Sequence, residues 1–207
     1  MGGEEHGASD RRRTVWESRW GDPNYAPDWL LKSSPELAQA VEEGWFPPGA
    51  SVLDIGCGDG NIAAWLAERG FDVLGIDFAS AAVEKARTAY AGVPGLAFDV
   101  VDISEEPPDR NGFGALFDRG CLQGIRPAAA PSYVRNVAAV ASPGARFLLL
   151  HRIRPDSTKG KVVEKIENLC RDSFEVVRFA DATIGVAPGV ACWMIRRGAQ
   201  GRGGVQQ

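Results

Sequence analysis

Three glycines and a set of strand-end carboxylates mark the part of this chain best suited to chemistry. The run Asp54-Ile55-Gly56-Cys57-Gly58-Asp59-Gly60-Asn61 sets glycines at alternate positions behind a short apolar stretch. Glycine lets the backbone turn tightly there and lets a ligand lie against it. Asp77 closes a second apolar stretch, Leu74-Gly75-Ile76-Asp77, and Asp102 follows a third, in Val101-Asp102-Ile103. A carboxylate at Asp77 is suited to accept hydrogen bonds from both hydroxyls of a ribose. One at Asp102 is suited to accept from the exocyclic amine of adenine, with Phe78 and Ile103 as apolar faces for the base. Alone, each feature has a plainer meaning: a tight turn, a helix cap, a solvated turn carboxylate. Their joint spacing favours a nucleoside site.

Those residues need strands and helices to hold them. Ser51–Ile55, Phe71–Ile76, Leu96–Val101, Phe113–Asp118 and Arg146–Leu150 read as strands. Asn61–Arg69, ended by Gly70, reads as a helix, as do the stretch from an N-cap at Ser80 to about Tyr90, Pro131–Ala141 and Thr158–Arg171. Phe174–Phe179 and Val190–Ile195 have no helix-length segment between them and are expected to pair as an antiparallel hairpin. Strands alternating with helices predict an α/β fold, a doubly wound and mostly parallel sheet covered on both faces. Ligands of such sheets bind beyond the carboxyl ends of the strands, which is where the three acidic positions fall.

The chain has 207 residues, 44% of them hydrophobic and 24% charged, enough for one domain with its own core. Its net charge of −4 gives no general attraction for nucleic acid. Arg11-Arg12-Arg13 is a local basic triplet whose plainer reading is a solvated tail or helix start. No apolar run approaches the roughly 20 residues of a membrane span, and Met1–Asp10 lacks the apolar core of a secretory signal. A cytoplasmic protein with no membrane or nucleic-acid partner is expected. Cys57, Cys121, Cys170 and Cys192 form no C-x-x-C pair, so no metal site is expected. Residues 1–10 and 198–207 read as flexible tails.

A nicotinamide enzyme would carry G-x-G-x-x-G. Here the spacing is G-x-G-x-G, and Asn61 stands where the last glycine would be. Acidic Asp54 in the loop suits a cationic amino acid and sulfonium better than a pyrophosphate. From Asp54 to Gly60, at Gly75-Ile76-Asp77 and at Val101-Asp102, the chain resembles the class I S-adenosylmethionine-dependent methyltransferases. The resemblance spans about Ala50 to Arg197. It implies a Rossmann-like sheet of seven strands with an antiparallel last strand. S-adenosylmethionine is the implied cofactor, its methionine part backed by Gly56, Gly58 and Gly60, its ribose held by Asp77 and its adenine amine by Asp102. Asp54, Cys57, Phe78 and Ile103 complete the expected cofactor contacts.

The fourth strand ends in Asp118-Arg119-Gly120-Cys121, where the methionine end of the cofactor would meet the acceptor. The segment lacks the N/D-P-P-Y/F pattern of DNA and protein amide methyltransferases. Asp-Arg-Gly resembles the thiopurine and thiol methyltransferase group, as does an arm reading Val15-Trp16-Glu17-Ser18-Arg19-Trp20 and then Pro27-Asp28-Trp29. This implies residues 11–45 as a helical arm or lid over a domain spanning 46–197. Trp20 and Asp118 are then expected at the cofactor, and Trp16, Arg119 and Arg152 at a small-molecule acceptor. His151 is a candidate base, while Arg152 and Arg154 are candidates for an anionic group. Cys121 has no identifiable His or Asn partner and reads as a core thiol. A thiol acceptor needs no positioned base, whereas an oxygen or amine more often does. A thiol is the leading expectation. An O- or N-methyltransferase and a non-catalytic nucleoside-binding module are the alternatives.

Overall fold

The computed structural model describes residues 3–27 and 34–198, with side chains from residue 11 onward. Trp29 and residues 199–207, read above as part of the arm and as a tail, lie outside the described residues.

The helices are α1 (Gly3–Gly21), α2 (Pro35–Glu42), α3 (Asn61–Ala67), α4 (Ser80–Ala89), α5 (Cys121–Gly124), α6 (Ala130–Val140) and α7 (Lys159–Cys170). The strands are β1 (Ser51–Ile55), β2 (Asp72–Asp77), β3 (Leu96–Val100), β4 (Phe113–Arg119), β5 (Ala141–Arg152), β6 (Phe174–Ile184) and β7 (Ala187–Arg196). They form one seven-stranded sheet in the order β3-β2-β1-β4-β5-β7-β6. Strands β1 to β5 pair in parallel, and β7 runs antiparallel to both β5 and β6. The strand order reverses between β1 and β4, which makes their carboxyl ends the topological switch point.

Alternation along the strands builds two apolar layers. Leu53, Ile55, Leu74 and Ile76 face Tyr133, Val137 and Ile166 of α6 and α7. Val52, Val73, Phe117 and Leu148 face Leu37 of α2, Ile62 and Leu66 of α3, and Val83 and Ala86 of α4. Each such side chain contributes about 1.5–3 kcal/mol by leaving water. The doubly wound sheet therefore holds its strand ends in fixed relation.

The local differences have physical reasons. Ser80 is the first residue of α4; the cap position belongs to Ala79, which has no capping side chain. Asp77 accepts from the Ala79 N–H instead, and Glu17 of α1 accepts from the N–H groups of Ser80 and Ala81. Helix α1 begins at Gly3, inside the stretch expected to be a tail. Arg19 falls in its last turn, where the helix dipole favours a cation. Strands β6 and β7 are longer than expected, because a turn at Gly185 (φ 61°) carries their pairing on to Ile184 and Ala187.

Candidate functional site

Backbone geometry sets the glycine loop against β2. The N–H groups of Gly56 and Cys57 both donate to the Ile76 carbonyl, at 2.8 and 2.9 Å. Gly58 has φ 56°, and its N–H donates to Asp77 Oδ2 at 3.1 Å. A side chain at Gly58 would strike Trp20, since its Cβ would stand 2.7 Å from the indole ring. The arm thus lies directly on the loop. Trp20 is 7% exposed and packs edge-on against Tyr25.

The carboxylates differ in environment. Asp77 is buried, and burial pushes its pKa up while the bonds from Ala79 and Gly58 pull it back. Asp102 takes the Ser104 N–H and hydroxyl on Oδ1, at 3.0 and 2.6 Å, and Arg12 on Oδ2 at 2.8 Å. Asp54 lies beneath the loop; its Oδ2 is buried and has no hydrogen-bond partner. Burial raises its pKa to about 7 against the pull of Arg119. Asp118 is fully buried, and both oxygens are engaged inside the protein. Oδ1 accepts from the Cys121 N–H, and Oδ2 from the Leu122 N–H and the Tyr133 hydroxyl. Its pKa rises to about 6 through burial. Asp118 fastens the start of α5 to β4.

A cavity of about 550 Å³ runs along the carboxyl ends of the strands. Gly56, Asp77, Phe78, Asp102 and Ile103 line one end, beneath Arg12. Arg119, Gly120, Cys121, Gln123, Ile125, Arg152, Arg154 and Ile184 line the remainder, with Trp16, Arg19 and Trp20 of the arm above. Of the expected residues, Asp54, Cys57, Gly58, Gly60, Asp118 and His151 are not on its wall. His151 is buried and its Nδ1 lies 2.8 Å from the Arg152 carbonyl, to which it donates; burial lowers its pKa. Cys121 is on the wall, but burial lifts its pKa well above the ordinary thiol value, leaving it a neutral lining group.

Several lining residues escaped the sequence reading. Arg12 and Arg19 recur at helical spacing with the expected Trp16 and share one face of α1 with it, a signal that was available in the sequence. Gln123 positions the wall from its own site: its Oε1 accepts from the Arg152 N–H at 2.6 Å, and its carbonyl accepts from Arg154 at 3.3 Å. Ile184 reaches the cavity only because β6 is long, and no local pattern announces it.

A switch-point cavity with a glycine loop, a carboxylate after β2 and another after β3 defines a nucleoside-cofactor-binding α/β protein. Comparison with known proteins narrows the class. Residues 52–144 match the family described as "Methyltransferase domain". The chain is 32% identical over 151 residues to the thiopurine S-methyltransferase of Bordetella petrii, a match covering 65% of this chain and 68% of that protein. It is also 32% identical over 127 residues to the 2-heptyl-1-hydroxyquinolin-4(1H)-one methyltransferase of Mycobacteroides abscessus, covering 60% of this chain and 55% of that relative's length. In fold it is similar to the 1,6-didemethyltoxoflavin-N1-methyltransferase of Burkholderia thailandensis, with a TM-score of 0.75, 18% identity, and coverage of 93% and 90% of the two chains. The chain belongs to the S-adenosylmethionine-dependent methyltransferases.

The residues present fit that cofactor. The unpartnered Asp54 Oδ2 beneath the loop offers an acceptor on the side where a cationic amino acid would lie. Asp77 ends β2, Asp102 follows β3, and both line the same cavity.

Proposed function

We propose that this protein methylates a small molecule, and that the acceptor atom arrives as an anion, with a thiolate as the leading case. One observation carries the reading. The cavity wall beyond Gly56 holds Arg19, Arg119, Arg152 and Arg154, and among the described residues the only acidic ones on the wall are Asp77 and Asp102 at its other end. Among the described residues, no His, Lys, Glu or Tyr lines it.

Bound S-adenosylmethionine supplies a methyl group on a positively charged sulfur. The protein's task is to hold the acceptor in line with that methyl and keep water away. Arginines around the acceptor favour its deprotonated form, because an opposite charge nearby stabilises the anion. An acceptor that is already anionic needs no base, which agrees with a wall whose described residues beyond the nucleoside end offer none. Trp16, Trp20, Ile125 and Ile184 supply apolar surface for a ring or chain. Arg119 and Arg152 are the acceptor contacts, and Arg119 is desolvated enough for its pKa to be lowered.

The reading that gives His151 a base role on an oxygen or nitrogen acceptor draws less support, since His151 is absent from the wall. An acidic hydroxyl is a second reading that the same arginines favour, and the hydroxyquinolone named for one relative is of that kind.

Thiols, acidic hydroxyl compounds and amines, each offered with S-adenosylmethionine and read by mass spectrometry, test the proposal. Methylation of a thiol, rising with the thiolate fraction as pH increases, is the expected result. Robust amine turnover without thiol or acidic hydroxyl turnover would overturn the anionic acceptor. Cofactor binding with no transfer to any acceptor would favour the non-catalytic module.

A further inference from the structure

The arm places a guanidinium where the base should go. Arg12 Nη2 donates to Asp102 Oδ2 at 2.8 Å, and the guanidinium carbon stands 4.5 Å from the centre of the Phe78 ring. Asp102 Oδ1 is already engaged by Ser104, so Oδ2 is the atom a ligand's amine would need. A guanidinium is planar, stacks on aromatic rings and presents N–H donors along its edge. In those respects it resembles the amine edge of adenine. A base stacked on Phe78 and donating to Asp102 Oδ2 would occupy the same space, so the two are mutually exclusive.

From this contest, and resting on the cofactor reading above, we propose that Arg12 is a latch on the adenine subsite that the cofactor must displace. The rest of the arm has its own tethers. Glu17 holds the first N–H groups of α4, at 2.7 Å to Ser80 and 3.0 Å to Ala81. Trp20 packs with Ala79 and Ala82 and lies on Gly58. These contacts leave Phe78 and Asp102 alone. Arg12 can therefore swing out while Glu17 and Trp20 keep α1 seated over the cavity. Arg13 flanks the same subsite more loosely: its Nη1 donates to the Phe78 carbonyl at 2.7 Å, its guanidinium carbon stands 5.4 Å from the ring centre and its Nη2 lies 3.8 Å from Asp102 Oδ2, against 4.5 and 2.8 Å for Arg12.

A latch lowers apparent affinity by the fraction of time it is open. If it is closed about nine times in ten, its removal tightens binding about tenfold. The test is calorimetric and stopped-flow titration of the full chain with S-adenosylhomocysteine and, separately, with adenosine. Arg12→Ala should tighten both ligands by the same factor, because the contest is over the base. Arg12→Lys, which keeps the charge but not the planar stack, should fall between. The association rate should level off with ligand concentration in the native protein and stay proportional to it in Arg12→Ala. Equal or weaker binding by Arg12→Ala would overturn the latch, as would a gain for S-adenosylhomocysteine without one for adenosine. Should neither protein bind S-adenosylhomocysteine, the cofactor reading itself falls and the latch with it. Binding by native protein with no gain in the variant removes the latch alone.

Discussion

The two ends of the cavity are built in opposite ways. At the end proposed for the cofactor, Asp77 and Asp102 line the wall and Asp54 lies behind the loop; each is under 10% exposed and sits near or just beyond the end of adjacent strands β1, β2 and β3. The sheet fixes the positions of Asp54 and Asp77, and backbone N–H groups orient Asp77 and Asp102. At the acceptor end, Arg19, Arg119, Arg152 and Arg154 come from α1, β4, β5 and the segment after it, and Arg19, Arg152 and Arg154 are exposed. Long cationic side chains there can re-aim at modest energetic cost. The first arrangement suits an invariant ligand and the second suits an acceptor whose shape differs among relatives.

Cutting the rigid end should do the most damage. Asp77→Ala removes the expected ribose acceptor together with the bonds to Gly58 and Ala79. Hydrogen bonds to a charged group contribute about 1.5–3 kcal/mol, so S-adenosylhomocysteine should bind on the order of ten- to a hundredfold more weakly by calorimetry. A change under twofold would mean that β2 does not hold the nucleoside.

The joint between the two ends is the next place to press. Gly58→Ala forces a left-handed φ on alanine and drives a Cβ to 2.7 Å from Trp20. Strain of this kind costs about 1–2 kcal/mol. The melting temperature should fall, and a protease should cleave α1 faster than in the native protein. Unchanged cleavage would show that the arm does not depend on the loop.

Asp54 gives the rigid end a signature in protons. Its folded pKa is raised to about 7, far above the ordinary value, so the folded state holds a proton that the unfolded chain releases. Such a group lowers stability as pH climbs from about 4 to 7. Asp54→Asn mimics the neutral acid, so its melting temperature should gain on the native protein over that range and the gap should level off above it. An ammonium group bound beside Asp54 favours the carboxylate. Ligand binding at about pH 6.5 should therefore release a proton. The heat of binding would then depend on the ionisation enthalpy of the buffer in the native protein and much less in Asp54→Asn. Buffer-independent heats in both would remove Asp54 from the cofactor's surroundings.

The same contrast explains what could be read from the sequence. The glycine loop and the strand-end acids announce themselves because each follows an apolar run that fixes where it must lie. Buried Asp118 follows the same rule, yet residue type and strand position cannot reveal that Tyr133, fifteen residues on, donates to its oxygen. For His151, too, the direction its ring takes, toward the Arg152 carbonyl, depends on the neighbouring strand and is not written in the local sequence. Of the arginine wall, Arg119, Arg152 and Arg154 were legible from their places at or just after strand ends, whereas Arg19 joins them only once the arm has packed over the sheet. Arg12 is the instructive miss. A basic triplet at a helix start reads as solvated charge unless the other end of its contact, Asp102, is known.

The smallest effect is expected at the acceptor end, and its pattern matters more than its size. Arg152 is solvent-exposed, and its backbone N–H rather than its guanidinium is tied to Gln123. Arg152→Ala should leave melting temperature and S-adenosylhomocysteine affinity unchanged. For an anionic acceptor the KM should rise about two- to fivefold, the range of an exposed charge interaction. A neutral analogue of the same acceptor should show no change, and added salt should shrink the native advantage. Should the neutral analogue suffer equally, the arginine would be acting through packing of its stem rather than through charge, and the acceptor end would recognise shape alone.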